Sequence, residues 1–354
     1  MDGYIIVYSD QNFHTFSGKL AIYFTIQYNT TIPVNGKVDY HSMKKPIDIF
    51  LDTDIGPDCD DAAALAILLQ LCQEGEARLL GITHCTGSPY GLGTIDAICR
   101  LFGVKVPLGS CNQPGFLSDE TALTYTPSVC AEYPNGFPPE SPKPDALEAF
   151  CNALENAEKN SVTMVTIGPL NNLARYLTDE HASYLLRRSV SRIISMAGSF
   201  DFRKDFAEWN VEMDIPAMQT VNNLWEKELI LLPFEAGVFV NSGAPLEKYP
   251  DNPVRTAYTL YNKGGFTRPS WDLAAVACAV LEDTGPYEIS KPGFLTVNNA
   301  GVTAFIPEQG GNRRIIRLKG SPEEAVAWLN TMLERAVLTM TGGPYSSLKP
   351  KIIL

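Results

Sequence analysis

Apolar positions along the chain fall into two kinds of run that take turns. Short runs, Pro46–Leu51 (PIDIFL), Arg78–Cys85 (RLLGITHC), 106–109 (VPLG), 162–167 (VTMVTI) and 193–198 (IISMAG), are bounded by Gly, Pro or polar residues and read as buried strands. Between them, 61–72 (DAAALAILLQLC), 91–102 and 145–158 have helical length and composition. Strands near 293–306 and 313–318 and a helix over 322–340 follow. Strand and helix in turn predict an α/β fold: an open, mostly parallel, Rossmann-like sheet with helices on both faces. Two stretches break the rhythm. Residues 111–144 are rich in Pro, Gly, Ser and Thr without a period, which predicts a functional loop or flap. Residues 1–42 hold tyrosine-rich, β-prone pieces (YIIVYS, LAIYFTIQY) and no helical period. A start at Met43 would begin a complete α/β domain, 43–354. The leader is therefore expected to be a small added hairpin or, by preference, an upstream extension of the gene that is not native.

Composition narrows the classes. With 354 residues, 45% of them hydrophobic and 19% charged, the chain is long enough for one large domain with a sizeable core. A formal net charge of −12 argues against a nucleic-acid partner. No apolar run approaches the roughly 18–20 residues of a membrane span, so no membrane partner is expected. Leu20–Ile26 is too short for a signal peptide and lacks a cleavage site. Eight cysteines without a CxxC pair suit free thiols in a reducing cytoplasm.

The densest chemistry lies just after the first strand. Asp52-Thr53-Asp54-Ile55-Gly56-Pro57-Asp58-Cys59-Asp60-Asp61 packs five aspartates into a strand-to-helix loop. Carboxylates this close raise one another's pKa unless a cation sits among them, and an all-oxygen donor set selects Ca²⁺ or Mg²⁺ over zinc. In open α/β sheets ligands bind at such carboxyl ends. An EF-hand beginning at Asp52 would need Gly and Glu where Pro57 and Ala63 stand, so that loop type fails. A phosphatase of the haloacid-dehalogenase type also opens with Asp-x-Asp after a strand, but here Ile55-Gly56 follows.

Asp52 to Ala62 resembles the signature of the nucleoside hydrolases, usually DTDPGxDD, with two residues inserted before Asp60; that placement leaves Asp58 ambiguous. Ile167-Gly168-Pro169-Leu170-Asn171-Asn172 is similar to the family's IGPLTN segment, Glu208-Trp209-Asn210 to its sugar-binding loop, and Trp271-Asp272 to its late metal-binding position. The resemblance implies Ca²⁺ held by Asp54, Asp61, Asp272 and the Ile167 carbonyl, with Asp54 as general base. It implies Asp60 on the ribose 2′-hydroxyl and Glu208 and Asn210 on the 5′ and 3′ sides, with Trp209 between them as an apolar wall and Asp272 also on the ribose. Ser88 stands where related enzymes have a ribose-binding Asn. The loop 199–207 runs about two residues short and lacks a second family Asn, for which Asp201 or Arg203 is the candidate replacement. Trp271 takes the place where many members have His, and its indole would stack on the leaving base; His84, at a strand end, is the other candidate acid. The reaction so implied is hydrolysis of a small-molecule nucleoside by a homodimer or homotetramer. A Mg²⁺ phosphohydrolase and a non-catalytic nucleoside- or ribose-binding homologue are the alternatives.

Overall fold

The computed structural model describes residues 45–342 except 112, 250, 251 and 282–284. The expected leader, 1–42, lies outside the described residues. The strands are β1 (Ile47–Thr53), β2 (Ala77–His84), β3 (Leu108–Ser110), β4 (Val162–Ile167), β5 (Val190–Met196), β6 (Glu228–Leu232), β7 (Asn241–Ser242), β8 (Arg268–Pro269), β9 (Tyr287–Ile289), β10 (Gly293–Val297), β11 (Thr303–Pro307) and β12 (Arg313–Leu318). The main sheet runs β11-β10-β12-β6-β5-β4-β1-β2-β3, with β9 added beside β12; β7 and β8 pair separately. From β3 to β12 every neighbour in the main sheet is parallel; β9 and β10 pair antiparallel with β12, β11 antiparallel with β10, and β7 antiparallel with β8.

The two-faced burial inferred from the apolar runs is seen residue by residue. Ile49, Leu51, Val165, Ile167, Ile194 and Leu232 enter one core, shared with the helices Asp60–Gln73, Asp272–Val280 and Pro322–Gly342. Phe50, Met164, Ile193 and Leu231 enter the other, with the helices Ala146–Leu154, Asn171–Thr178, Glu180–Ser189 and Ile215–Leu224. Each fully buried Leu or Ile contributes roughly 1.5–3 kcal/mol, so strands apolar on both faces are the ones the parallel centre of the sheet requires. Helix Asp60–Gln73 is buried all round from Asp60 to Leu71, which explains why its sequence is Ala- and Leu-rich rather than amphipathic.

Three differences from the sequence reading bear on the site. Strand β6 (ELILL) has no counterpart among the predicted strands, and it delivers Phe234 to the pocket described below. Helix 145–158 stops at Leu154. The stretch 111–144 is partly ordered as a 3-10 turn, Glu120–Leu123, capped by Asp119, and a helix, Thr126–Glu132. It packs onto the aspartate loop, because Gly56 has φ +149° and an added Cβ would lie 2.8 Å from the Ala122 carbonyl oxygen. The buried Tyr125 also donates from its hydroxyl to the Asp58 carbonyl, at 2.7 Å.

The chain steps outward from β1 through β2 to β3, then restarts on the other side of β1 with β4, β5 and β6. The reversal falls between β1 and β4, and a crevice forms at the carboxyl ends there.

Candidate active site

Four carboxylates meet at that crevice. Asp54 follows β1, Asp60 and Asp61 open the next helix, and Asp272 opens helix Asp272–Val280; all four are at most 5% exposed. Oxygens of Asp60, Asp61 and Asp272 lie within 4.8 Å of one another. Asp60 Oδ2 accepts the backbone N–H groups of Trp271 (3.0 Å) and Asp272 (3.2 Å), so it ties the first strand-to-helix loop to the late helix. Asp61 Oδ1 accepts from the Thr53 hydroxyl. Burial, and then the charge of neighbouring carboxylates, pushes Asp61 and Asp272 well above the ordinary carboxylate range. Burial pushes Asp54 up to about 8 and Asp60 up to about 7. Such crowding is costly for the bare chain and favours a hard divalent cation among oxygen donors. Gly168 lets the turn after β4 close on the site: a Cβ there would come within 2.8 Å of Asp54 Cβ and 2.6 Å of Cys85 Sγ.

Two further aspartates of the loop have other partners. Asp52 is fully buried beneath the site, where it accepts from Thr83 and from Asn172 Nδ2 (2.9 Å). Asp58 is turned toward Arg268, whose Nε lies 3.0 Å from both its oxygens and whose Nη2 lies 2.6 Å from Oδ2. Asp58 therefore spends its carboxylate on a fork-to-fork ion pair with Arg268 rather than on the carboxylate cluster.

A cavity of about 360 Å³ opens over the carboxylates, within the range of small-ligand pockets. Of the residues singled out from sequence, Asp54, Asp60, Asp61, Ile167, Glu208, Trp209, Asn210, Trp271 and Asp272 line it. Ser88 does not. It sits buried at the end of the β2 loop, where its hydroxyl accepts from Tyr90 N–H (3.4 Å) at the start of a helix, a local turn contact that keeps it out of the pocket. Glu208 accepts from the backbone N–H of Gly198 and Asn210, both at 2.9 Å, capping helix Trp209–Met213; burial pushes its carboxyl up to about 7. Asn210 Nδ2 donates to the Met196 carbonyl at 3.0 Å, which aims the side chain while using only its amide nitrogen.

Neither candidate for the missing Asn lines the cavity. The Asp201 N–H donates to Glu235 Oε1 (3.0 Å), and the Arg203 guanidinium lies over the rings of Phe202 and Phe206. His84 is fully buried between Thr86 Oγ1 (3.1 Å) and Ser110 Oγ (3.4 Å), away from the cavity, and burial lowers its pKa to about 4. Sequence reasoning missed Thr121, Met196, Phe234, Tyr261 and Arg268, all of which line the cavity. Two of them carried a signal: Arg268 stands four residues ahead of Asp272 in a segment already under suspicion, and Thr121 lies in the stretch 111–144 expected to be a functional loop.

A family model described as inosine-uridine preferring nucleoside hydrolase matches residues 49–303. An uncharacterized protein of Schizosaccharomyces pombe is 32% identical over 185 residues, covering 49% of this chain and 56% of that protein, so the match spans little more than half the relative's length. The inosine-uridine preferring nucleoside hydrolase of Bacillus anthracis superposes with a TM-score of 0.60 at 17% identity, covering 82% of this chain and 99% of that one. The purine-preferring ribonucleoside hydrolase of Gardnerella vaginalis superposes with a TM-score of 0.64 at 16% identity, covering 83% and 99%. At such identities the structural likeness shows the fold, a mixed α/β fold with a large, mostly parallel sheet. The family model, however, takes in well over half the chain, and the chain belongs to the inosine-uridine preferring nucleoside hydrolase family.

Proposed function

We propose that this chain hydrolyses the N-glycosidic bond of ribonucleosides, releasing ribose and the free base with the help of Ca²⁺. The observation that carries the reading is the convergence of Asp60, Asp61 and Asp272 beside Asp54 at the floor of a cavity whose upper wall is aromatic. Asp54, Asp61 and Asp272, with the Ile167 carbonyl, are the groups that would hold the cation. Bound there, Ca²⁺ would accept ribose hydroxyls among its 6–8 oxygen ligands and acidify a water.

Asp54 takes the proton of the attacking water as general base. The water oxygen bonds to C1′ as the C1′–N bond breaks and its electron pair stays with the base. The surrounding carboxylates favour the positive charge that builds on the sugar ring, as in other glycoside hydrolysis. Asp60 keeps Oδ1 for the 2′-hydroxyl, since its Oδ2 is occupied by the Trp271 and Asp272 amides. Glu208 and Asn210 take the 5′ and 3′ sides, with Trp209 as the apolar wall between, and Asp272 also reaches the ribose. The base lies against Trp271, whose indole N–H is already given to the Phe234 carbonyl (2.6 Å), so the ring presents its face rather than a donor. Ser88, buried in its own turn, has no part in this reading.

Residues 43–354 are proposed as the catalytic domain, with 1–42 dispensable. The eight cysteines, all free, fit a reducing cytoplasm, and family habit supports a homodimer or homotetramer.

The test is a turnover panel with metal-stripped protein reloaded with Ca²⁺ or Mg²⁺. Inosine, adenosine, guanosine, uridine and cytidine are offered, together with a 4-nitrophenyl riboside and a phosphate monoester. Ca²⁺-dependent release of base, faster for purines than for uridine, is the expected result. Nucleoside binding without turnover would favour the non-catalytic homologue, and hydrolysis of the phosphate ester alone would favour the phosphohydrolase.

A further inference from the structure

A departing purine or pyrimidine leaves with the electron pair of the broken C1′–N bond, and the pocket just described is a poor place for an anion. Asp54, Asp58, Asp60, Asp61, Asp272 and Glu208 line it, and among the described residues the lining includes one basic side chain, Arg268. Its placement is unusual for a surface arginine. It sits at β8, with its side chain 28% exposed, and its guanidinium carbon lies 5.0 Å from the centre of the Tyr261 ring and 5.7 Å from that of Trp271. Phe234 stacks behind Trp271 with ring centres 5.5 Å apart. The bonds to Asp58 use Nε and Nη2, which leaves Nη1 out of the fork.

We propose, on the reading of the pocket given above, that Arg268 is the fixed positive charge facing the leaving base, oriented for that work by Asp58. The indole of Trp271 supplies the flat wall, and Arg268 supplies the charge beside it that the base meets as electrons flow onto its ring. The arginine is not an acid here. Burial alone would lower its pKa, but the hydrogen bonds and charge of Asp58 more than offset that and hold it above its usual value, so it stays protonated throughout. The base takes its proton from water, and Arg268 favours the anion before that proton arrives.

The experiment uses two substrates that differ in how much help their leaving groups need. Arg268→Gln is assayed for kcat/KM on inosine and on 4-nitrophenyl riboside, whose nitrophenolate departs without help. The expected result is a loss of roughly 30-fold or more on inosine against less than about 3-fold on the riboside. Because Arg268→Gln leaves the partly buried Asp58 without its partner, the double variant Asp58→Asn/Arg268→Gln is measured beside it, with thermal melts of both. The selective loss is expected to persist in the double variant. Equal losses on the two substrates would overturn the proposal and leave the pair as a clamp on the loop. Failure of the unaltered protein to hydrolyse either substrate would instead overturn the proposed function, and this inference with it.

Discussion

Asp54, Asp60, Asp61 and Asp272 line one side of the pocket and are at most 5% exposed, seated at the end of β1 and in the first turns of two helices. Across from them, Tyr261, Arg268 and Trp271 are only partly buried, Trp209 is 43% exposed, and Thr121 comes from a short turn between loops. The first side is tied into the sheet by backbone amides and by Gly168. The second is held by ring contacts and one ion pair. The contrast teaches that the bond-breaking groups stand where the fold tolerates least movement, whereas the surfaces that choose and release the base stand on connections that can change in length.

That contrast can be broken from either side. On the rigid side, Asp54→Asn is expected to lower kcat by at least ~10²-fold and to weaken cation binding, as measured by single-turnover kinetics and metal analysis. Near-normal turnover would remove Asp54 from the mechanism. Next in size is Gly168→Ala, which changes no chemical group but drives a methyl into Asp54 and Cys85. A fall in kcat of roughly 10- to 100-fold is expected, given how sharply rates depend on sub-ångström placement, and kinetics with metal stoichiometry would show it. An unchanged kcat would mean that the carboxylate side is softer than argued here.

On the other side, Trp271→Ala is expected to lower kcat/KM for inosine about 10-fold while sparing a nitrophenyl riboside, since the stacked ring acts on the base. Equal losses would make Trp271 a packing residue. The smallest effect on turnover is expected at His84, which faces neither side. Its folded pKa of about 4 lies below the ordinary 6.5, so between those values the unfolded chain binds more protons and stability falls as the pH falls. The loss approaches roughly 3 kcal/mol once the pH is below both. His84→Gln should keep near-normal kcat and flatten the pH dependence of urea midpoints between pH 7 and 4; a slope matching the unaltered protein would refute the assignment.

The sequence made the rigid side legible for a physical reason. A strand apolar on both faces, a loop of carboxylates and an Ala-rich helix each leave a local signature, and β1, β4 and helix Asp60–Gln73 were read from such signatures, whereas Asp272 was reached only through the family resemblance. On the opposite side Trp209 and Trp271 were reached only through the family resemblance, and Phe234 and Tyr261 left no signature. Phe234 follows β6, a five-residue strand too short to stand out by its pattern even with Pro233 behind it, and Tyr261 ends a helix whose neighbours give no hint of a cavity. Asp58 could not be assigned from letters alone, because whether a carboxylate joins a cluster or turns to an arginine 210 residues away depends on tertiary approach. Ser88 was placed by its position in the loop, and letters alone do not say that its hydroxyl meets the Tyr90 N–H instead of lining the cavity.

The bond from the Asp272 amide to Asp60 spans 212 residues of chain. Contacts of such separation form late, because the entropy of closing so large a loop must be met before they give anything back. As the protein emerges during synthesis, β1 and its helix can find β2 and β4 long before residue 272 exists. Until then the acidic loop lacks both its distant cap and the fourth carboxylate of its cluster, so the centre of the sheet precedes the catalytic floor in time.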